Sequence, residues 1–138
     1  MEKEKSNLAS NYVCEKCWYQ LDDCVCEKPF FPPKTLIHID VNIQSIIRVL
    51  NNKGYDTNYC CEGHYTDTFK QMYVSFCNRN NFSRVGLPSG FYYDRRFFAI
   101  RYDYSSLTES DFDKEKASML ARFLEWCNNL PLEDELNG

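Results

Sequence analysis

A chain of 138 residues, 43% apolar and 16% aromatic, is long enough for one folded domain with its own core. It has no apolar run long enough for a transmembrane helix, and its charged N-terminus lacks the apolar stretch of a secretory signal. We therefore expect a cytosolic protein. Thiols stay reduced there, and close cysteine pairs are metal ligands more often than disulfides.

The charges are unevenly distributed along this acidic chain, whose formal net charge is −4. Residues 70–101 carry six basic side chains and one acidic side chain, whereas residues 102–138 carry nine acidic and three basic ones. An acidic protein is repelled by nucleic acid and suits a partner with a basic surface. We therefore expect a protein partner, with no direct contact to nucleic acid and no membrane association.

Four cysteines lie close together near the start of the chain. Their spacing is Cys14-x2-Cys17, then six residues, then Cys24-x-Cys26. Two close pairs of thiolates can surround one tetrahedral zinc ion and leave no position for water, which is typical of a structural site. Four free thiols, two disulfides or an iron–sulfur cluster are the alternatives. Residues 1–11 are expected to form a disordered tail, and residues 12–33 a zinc knuckle with a proline-rich connector.

The main domain is predicted to span residues 34–132. Alternating apolar residues predict strands at residues 35–39, 55–60, 71–77 and 97–104. A helix between the first two strands has an apolar face, and Asp40 or Asn42 is predicted to cap it. That face consists of Ile43, Ile46, Ile47 and Leu50. Gly54 is positioned to end this helix in a left-handed conformation.

A second helix is predicted from Thr108, a capping residue, to the helix-stopping Pro131. Residues 133–138 are predicted to form a frayed acidic tail. The element order β-α-β-β-β-α predicts an α+β fold, in which two helices pack on one face of a small, mostly antiparallel sheet.

The motif Cys60-Cys61-Glu62-Gly63-His64 follows a predicted strand and allows three interpretations. Cys61 and His64 could be a nucleophile and its base. They could bind a second metal ion together with Cys77 or His38. In the third and favoured interpretation, Gly63 makes a turn, one cysteine is buried as a small apolar residue, and His64 makes a hydrogen bond.

The arginine-rich and aromatic stretch from Lys70 to Tyr104 has two interpretations. Stacking and charge could hold single-stranded nucleic acid. Alternatively, the aromatic side chains face the core and the arginines pair with the acidic C-terminal helix. The balance of +5 on residues 70–101 against −6 on residues 102–138 favours the second interpretation.

Several short motifs occur in a fixed order between Leu36 and Pro131. They are a helix followed by Lys53-Gly54-Tyr55-Asp56-Thr57, then Cys61-Glu62-Gly63-His64, Tyr73-Val74-Ser75-Phe76, Leu87-Pro88 and Trp126…Leu130-Pro131. In these motifs the chain resembles small proteins from phages and prophages of low-GC Gram-positive bacteria. As a small, acidic, zinc-stabilised protein it also resembles a zinc-containing anti-CRISPR protein of type II-A systems. Those inhibitors share no common fold, so the resemblance assigns no residue roles.

The resemblance implies a non-enzymatic inhibitor that binds the RNA-guided effector nuclease of a type II CRISPR system and blocks loading of target DNA. That nuclease holds its heteroduplex in a positively charged channel, on which an acidic surface could dock. The candidate contacts are Glu109, Asp113, Glu115, Glu125, Glu133, Asp134 and Glu135. One alternative is a zinc-containing accessory protein that binds nucleic acid through Arg79, Arg84, Arg95 and Arg96. Another is an enzyme centred on Cys61 and His64.

Overall fold

The computed structural model describes residues 11–20, 23 and 36–138, and its strands form two antiparallel sheets. In the first sheet, β1 (Tyr12–Cys14) pairs with β2 (Leu36–His38). The second sheet has four strands in the spatial order β3–β4–β6–β5. These strands are β3 (Thr57–Cys61), β4 (Gln71–Phe76), β5 (Tyr92–Asp94) and β6 (Ala99–Asp103).

The core lies between one face of the four-stranded sheet and two helices, α1 (Gln44–Asn52) and α2 (Glu109–Asn128). Since side chains alternate along a strand, Met72 and Val74 point to the same face, where Ile100 of the neighbouring strand joins them. The helices cover this face with a shared set of buried residues, Ile46, Ile47, Leu50, Met119, Phe123 and Cys127. The predicted α+β fold with an antiparallel sheet is therefore confirmed for the described residues.

The ends of the helices agree only partly with the sequence prediction. Gly54, at φ +95°, follows the end of α1 as predicted, and the Thr108 hydroxyl accepts a hydrogen bond from the Asp111 amide at the start of α2. The predicted cap of α1 is wrong. A short 3₁₀ turn over Val41–Ile43 precedes α1, and neither the Asp40 nor the Asn42 side chain caps a helix. Both side chains instead contact the segment that follows β3.

The structure differs from the prediction at the C-terminus, where a third short helix, α3 (Glu133–Asn137), replaces the expected frayed tail. Leu136 is buried in the core, and the Glu133 amide donates to the Lys53 carbonyl at 2.9 Å. The Lys53 ammonium also donates to three carbonyls at the end of α2, so the ends of the three helices are joined. No helix of the described residues combines the length and apolarity needed to cross a membrane.

The first half of the predicted zinc knuckle packs against α1. The Val13 side chain is buried in the core, and the Arg48 guanidinium donates to the Trp18 carbonyl at 3.2 Å. Cys14 is buried and Cys17 is half-buried in the turn that follows β1. Cys24, Cys26 and the proline-rich connector lie outside the described residues, so the four-cysteine zinc site stays a prediction.

Candidate metal centre

The segment after β3 contains Gly63, which lies between the candidate site residues Cys61 and His64. Its φ of +87° is in the left-handed region that favours glycine. A Cβ atom here would overlap the Tyr104 ring and approach the Gln71 carbonyl oxygen to 3.0 Å. The hydrogen-bonded turn predicted at Gly63 begins one residue later instead, where the Asp67 amide donates to the His64 carbonyl at 3.0 Å. Residues 61–64 lie beside the loop that leaves β2.

Three side chains of different chemistry meet where these two loops approach. The ligand atoms of Asp40, Cys61 and His64 all lie within 4.8 Å of one another. His64 Nε2 is 3.3 Å from Asp40 Oδ2, and the same oxygen accepts a hydrogen bond from the Glu62 amide at 3.2 Å. Asp40 and Cys61 are half-buried, whereas His64 is exposed. These three residues, called the metal cluster below, offer oxygen, sulfur and nitrogen to one cation.

The buried carboxylate of Glu62 holds the segment that carries Cys61 and His64 in place. Glu62 is 3% exposed and accepts hydrogen bonds from the backbone amide and the side-chain amide of Asn42, at 3.1 and 2.8 Å. It also forms an ion pair with Lys116 of α2. The Glu62 carbonyl accepts a hydrogen bond from the Tyr104 hydroxyl at 2.7 Å. Glu62 thus connects the segment after β3 to α2, to the end of β6 and to the loop after β2. These contacts hold Cys61 and Gly63, its neighbours in the chain, in place.

Three other cysteine and histidine residues, Cys60, Cys77 and His38, lie outside the metal cluster. Cys60 points to the opposite side of β3 and packs against the core, where burial raises the pKa of its thiol to about 12. Cys77 contacts the Thr57 carbonyl at the other end of β3, because β3 and β4 are antiparallel. The His38 ring packs edge-on against the Tyr12 ring at 5.2 Å. In the described structure Asp40, and neither Cys77 nor His38, lies beside Cys61 and His64.

The surroundings of Cys61 favour its neutral thiol over the thiolate. Burial raises the pKa of the Cys61 thiol above its ordinary value, and the negative charge of the Asp40 carboxylate raises it further. The Gly63 amide, which donates to Cys61 Sγ at 3.4 Å, lowers this pKa but does not outweigh burial. A bound cation would reverse the balance, because it stabilises thiolate and carboxylate together.

The hydrogen bonds among the three groups differ from those of a cysteine nucleophile and a histidine base that a carboxylate orients. In that arrangement the imidazole lies between the thiol and the carboxylate. Here the Asp40 carboxylate contacts both other groups, since it interacts with the Cys61 thiol and with His64 Nε2. The Asp40 carboxylate is therefore the group that contacts both the thiol and the imidazole.

The acidic residues predicted to bind a partner fall into two groups. Glu115 is half-buried and accepts hydrogen bonds from Ser105, Ser106 and Tyr102. Glu133 is half-buried and accepts one from Asn137. The remaining residues of the predicted set are exposed: Glu109, Asp113, Glu125, Asp134 and Glu135. This second group is therefore the more accessible of the two.

The prediction that the arginines form ion pairs with the acidic C-terminal helix is wrong for the described residues. Arg101 pairs with Asp94 of β5 at 3.0 Å, and Arg84 donates to the Leu136 carbonyl at 2.7 Å. None of the ion pairs between described residues joins residues 70–101 to an acid of α2 or α3. The prediction that aromatic side chains face the core holds for Phe82 and Phe91, while Phe97 is 56% exposed.

No protein-family model, curated protein or solved structure matches the chain.

Proposed function

We propose that the protein binds one zinc ion through Asp40, Cys61 and His64, with one coordination position left to solvent or to a bound molecule. The observation that carries this proposal is the convergence of three potential ligand atoms within 4.8 Å. Thiolate, imidazole and carboxylate together suit zinc, whereas calcium and magnesium prefer oxygen ligands alone.

The number of ligands is informative about the kind of site. Structural zinc sites are closed by four protein ligands, while sites with three keep a position for water or substrate. The described residues supply three, and the exposed His64 leaves the site open on one side. A zinc ion held in this way lowers the pKa of its bound water toward neutrality. The chain's own contribution is a loop held in place by Gly63 and by the buried Glu62.

Zinc titration followed by amide NMR tests this proposal. Zinc should shift the signals of residues 40 and 61–64 in the wild-type chain, and Cys61→Ser should abolish these shifts. Cys77→Ser is the matched control, because Cys77 is an exposed cysteine next to the same sheet but outside the cluster. Shifts that survive Cys61→Ser, or that are equally lost in Cys77→Ser, would refute the site.

A second candidate function is stoichiometric inhibition of a protein with a basic surface, and the exposed acids of α2 and α3 favour it. The partner proposed from the sequence is the RNA-guided effector nuclease of a type II CRISPR system, with target-DNA loading as the blocked step. An acidic face competes with DNA for a basic channel because both use the same electrostatic attraction.

Charge reversal separates this candidate from the zinc proposal. Asp113→Lys/Glu125→Lys should slow association with the nuclease and weaken inhibition, more at low salt than at high salt. Glu15→Lys/Asp56→Lys changes the net charge equally at exposed positions away from α2 and should have little effect. Inhibition should saturate near one molecule per nuclease. Inactivation of excess nuclease by a trace of the protein would instead indicate an enzyme.

A further inference from the structure

The loop between β4 and β5 and the hairpin between β5 and β6 border a cavity. The cavity has a volume of about 280 Å³ and is lined by Arg79, Asn80, Phe82, Leu87, Tyr93 and Arg95, among others. A smaller one of about 140 Å³ lies beside it and shares Arg79, Tyr93 and Arg95. Two guanidinium groups and a phenol thus border both spaces.

The guanidinium groups of Arg79 and Arg95 are not neutralised by a described acidic side chain. Within the described part of the chain, neither the Arg79 nor the Arg95 side chain takes part in an ion pair or hydrogen bond, although both are exposed and close to the same tyrosine. The neighbouring Arg101 and Arg84, by contrast, are held by Asp94 and by the Leu136 carbonyl. Unpaired guanidinium groups on one cavity attract an anion, and their planar donors match phosphate oxygens.

The tyrosine between them carries the second observation. The Tyr93 hydroxyl is buried, and no described group completes a hydrogen bond with it. Burial raises the pKa of this phenol, and the nearby Asn80 backbone amide and arginines only partly offset that effect. Because an amide N–H can only donate, the hydroxyl proton would still lack an acceptor. Most buried polar groups have a hydrogen-bond partner, so the Tyr93 hydroxyl keeps the capacity to donate to a further group.

The loop that carries Arg79 is held rigidly, as a binding site requires. The Asn137 side chain of α3 donates to the Asn80 side chain at 2.8 Å and accepts from the Asn81 amide at 2.8 Å. Phe82 is buried and packs against the Tyr93 ring at 5.9 Å between centroids. The Arg79 and Arg95 side chains form no hydrogen bond or ion pair with other described residues, so their donors are available to an anion.

We propose that Arg79, Tyr93 and Arg95 form a binding site for the phosphate group of a small phosphate monoester. A phosphate monoester carries nearly two negative charges at neutral pH, which match the two guanidinium groups. A phosphodiester in a nucleic-acid backbone carries only one. The apolar side chains of Phe82 and Leu87 in the same cavity suit a compact organic group attached to the phosphate.

Phenyl phosphate is a suitable probe, with binding followed by amide NMR of the full chain. It should shift the signals of residues 79–83 and 93–95 saturably, and inorganic phosphate should compete. Arg79→Gln and Arg95→Gln should each weaken binding by about tenfold or more. Arg96→Gln is the matched control, because Arg96 is an exposed neighbour that does not line the cavity. No binding, or equal weakening by Arg96→Gln, would overturn the proposal.

Two further arms identify the source of the phosphate and the role of the phenol. Methyl phenyl phosphate, a diester, and an oligonucleotide without terminal phosphates should both bind at least about tenfold more weakly than phenyl phosphate, and equal binding of either would overturn the monoester assignment. Tyr93→Phe should weaken phenyl phosphate binding by about fivefold or more without lowering the melting temperature, since the hydroxyl completes no hydrogen bond in the described structure. A clear loss of stability would instead assign the hydroxyl a structural partner.

Discussion

Replacing Lys116 with methionine tests the support beneath the metal cluster. Lys116 forms an ion pair with Glu62, and their side chains are 15% and 4% exposed. Removing the ammonium leaves a buried carboxylate with only the two Asn42 donors. Breaking a buried pair in this way costs about 3–5 kcal/mol. Because Lys116 is slightly exposed, we expect the lower end, about 3 kcal/mol.

Urea denaturation measures this effect. With a slope of about 2 kcal/mol per molar urea, the Lys116→Met midpoint should fall by about 1.5 M. Lys114→Met is the matched control, since Lys114 is an exposed lysine of the same helix. The double variant Glu62→Gln/Lys116→Met should regain part of the loss, because it removes the unpaired charge. A Lys116→Met midpoint equal to that of Lys114→Met would refute the role assigned to the buried pair.

Two other substitutions probe the site and the fold. Gly63→Ala should lower the free energy of unfolding by at least about 2 kcal/mol more than Gly86→Ala does. Both glycines have positive φ, but only at Gly63 would the new Cβ meet other atoms. Equal urea midpoints for the two variants would contradict this. Glu115→Gln should lower stability by about 1–2 kcal/mol at pH 7. Burial alone would raise the pKa of Glu115, but hydrogen bonds from Ser106, Tyr102 and Ser105 outweigh it and hold the pKa below its ordinary value. A carboxyl group whose pKa is lower in the folded state stabilises above its unfolded pKa, about 4.3, and loses that contribution as the pH falls. The difference between wild type and Glu115→Gln should therefore shrink below about pH 4, and a difference that stays constant down to pH 2 would contradict the assignment.

Local patterns in the sequence were sufficient to predict most of the fold. The spacing of Ile43, Ile46, Ile47 and Leu50 specifies a helix face, and alternation specifies β3, β4 and β6. The strands β1 and β5 have only three residues each, too few to show a period. The helix α3 depends on the burial of Leu136 and on the Lys53 carbonyl, which are tertiary contacts.

The candidate site was predictable only in part. Cys61, Gly63 and His64 are neighbours in the sequence and were recognised together, whereas Asp40 was predicted to cap a helix. Its approach to Cys61 depends on how the loop after β2 packs against the end of β3. The same reason explains the wrong pairing predicted for the arginines. Equal and opposite charge in two segments says nothing about the distance between them, and Arg101 lies next to Asp94 across a hairpin.

Zinc content measured on purified protein tests the central claim most directly. If the four N-terminal cysteines also bind zinc, the wild-type chain holds two equivalents, and if they do not, it holds one. In either case Asp40→Asn/Cys61→Ser/His64→Ala should hold one equivalent less than wild type, while Cys77→Ser should match wild type. A triple variant that stays folded and retains the full zinc content of the wild-type chain would contradict the account.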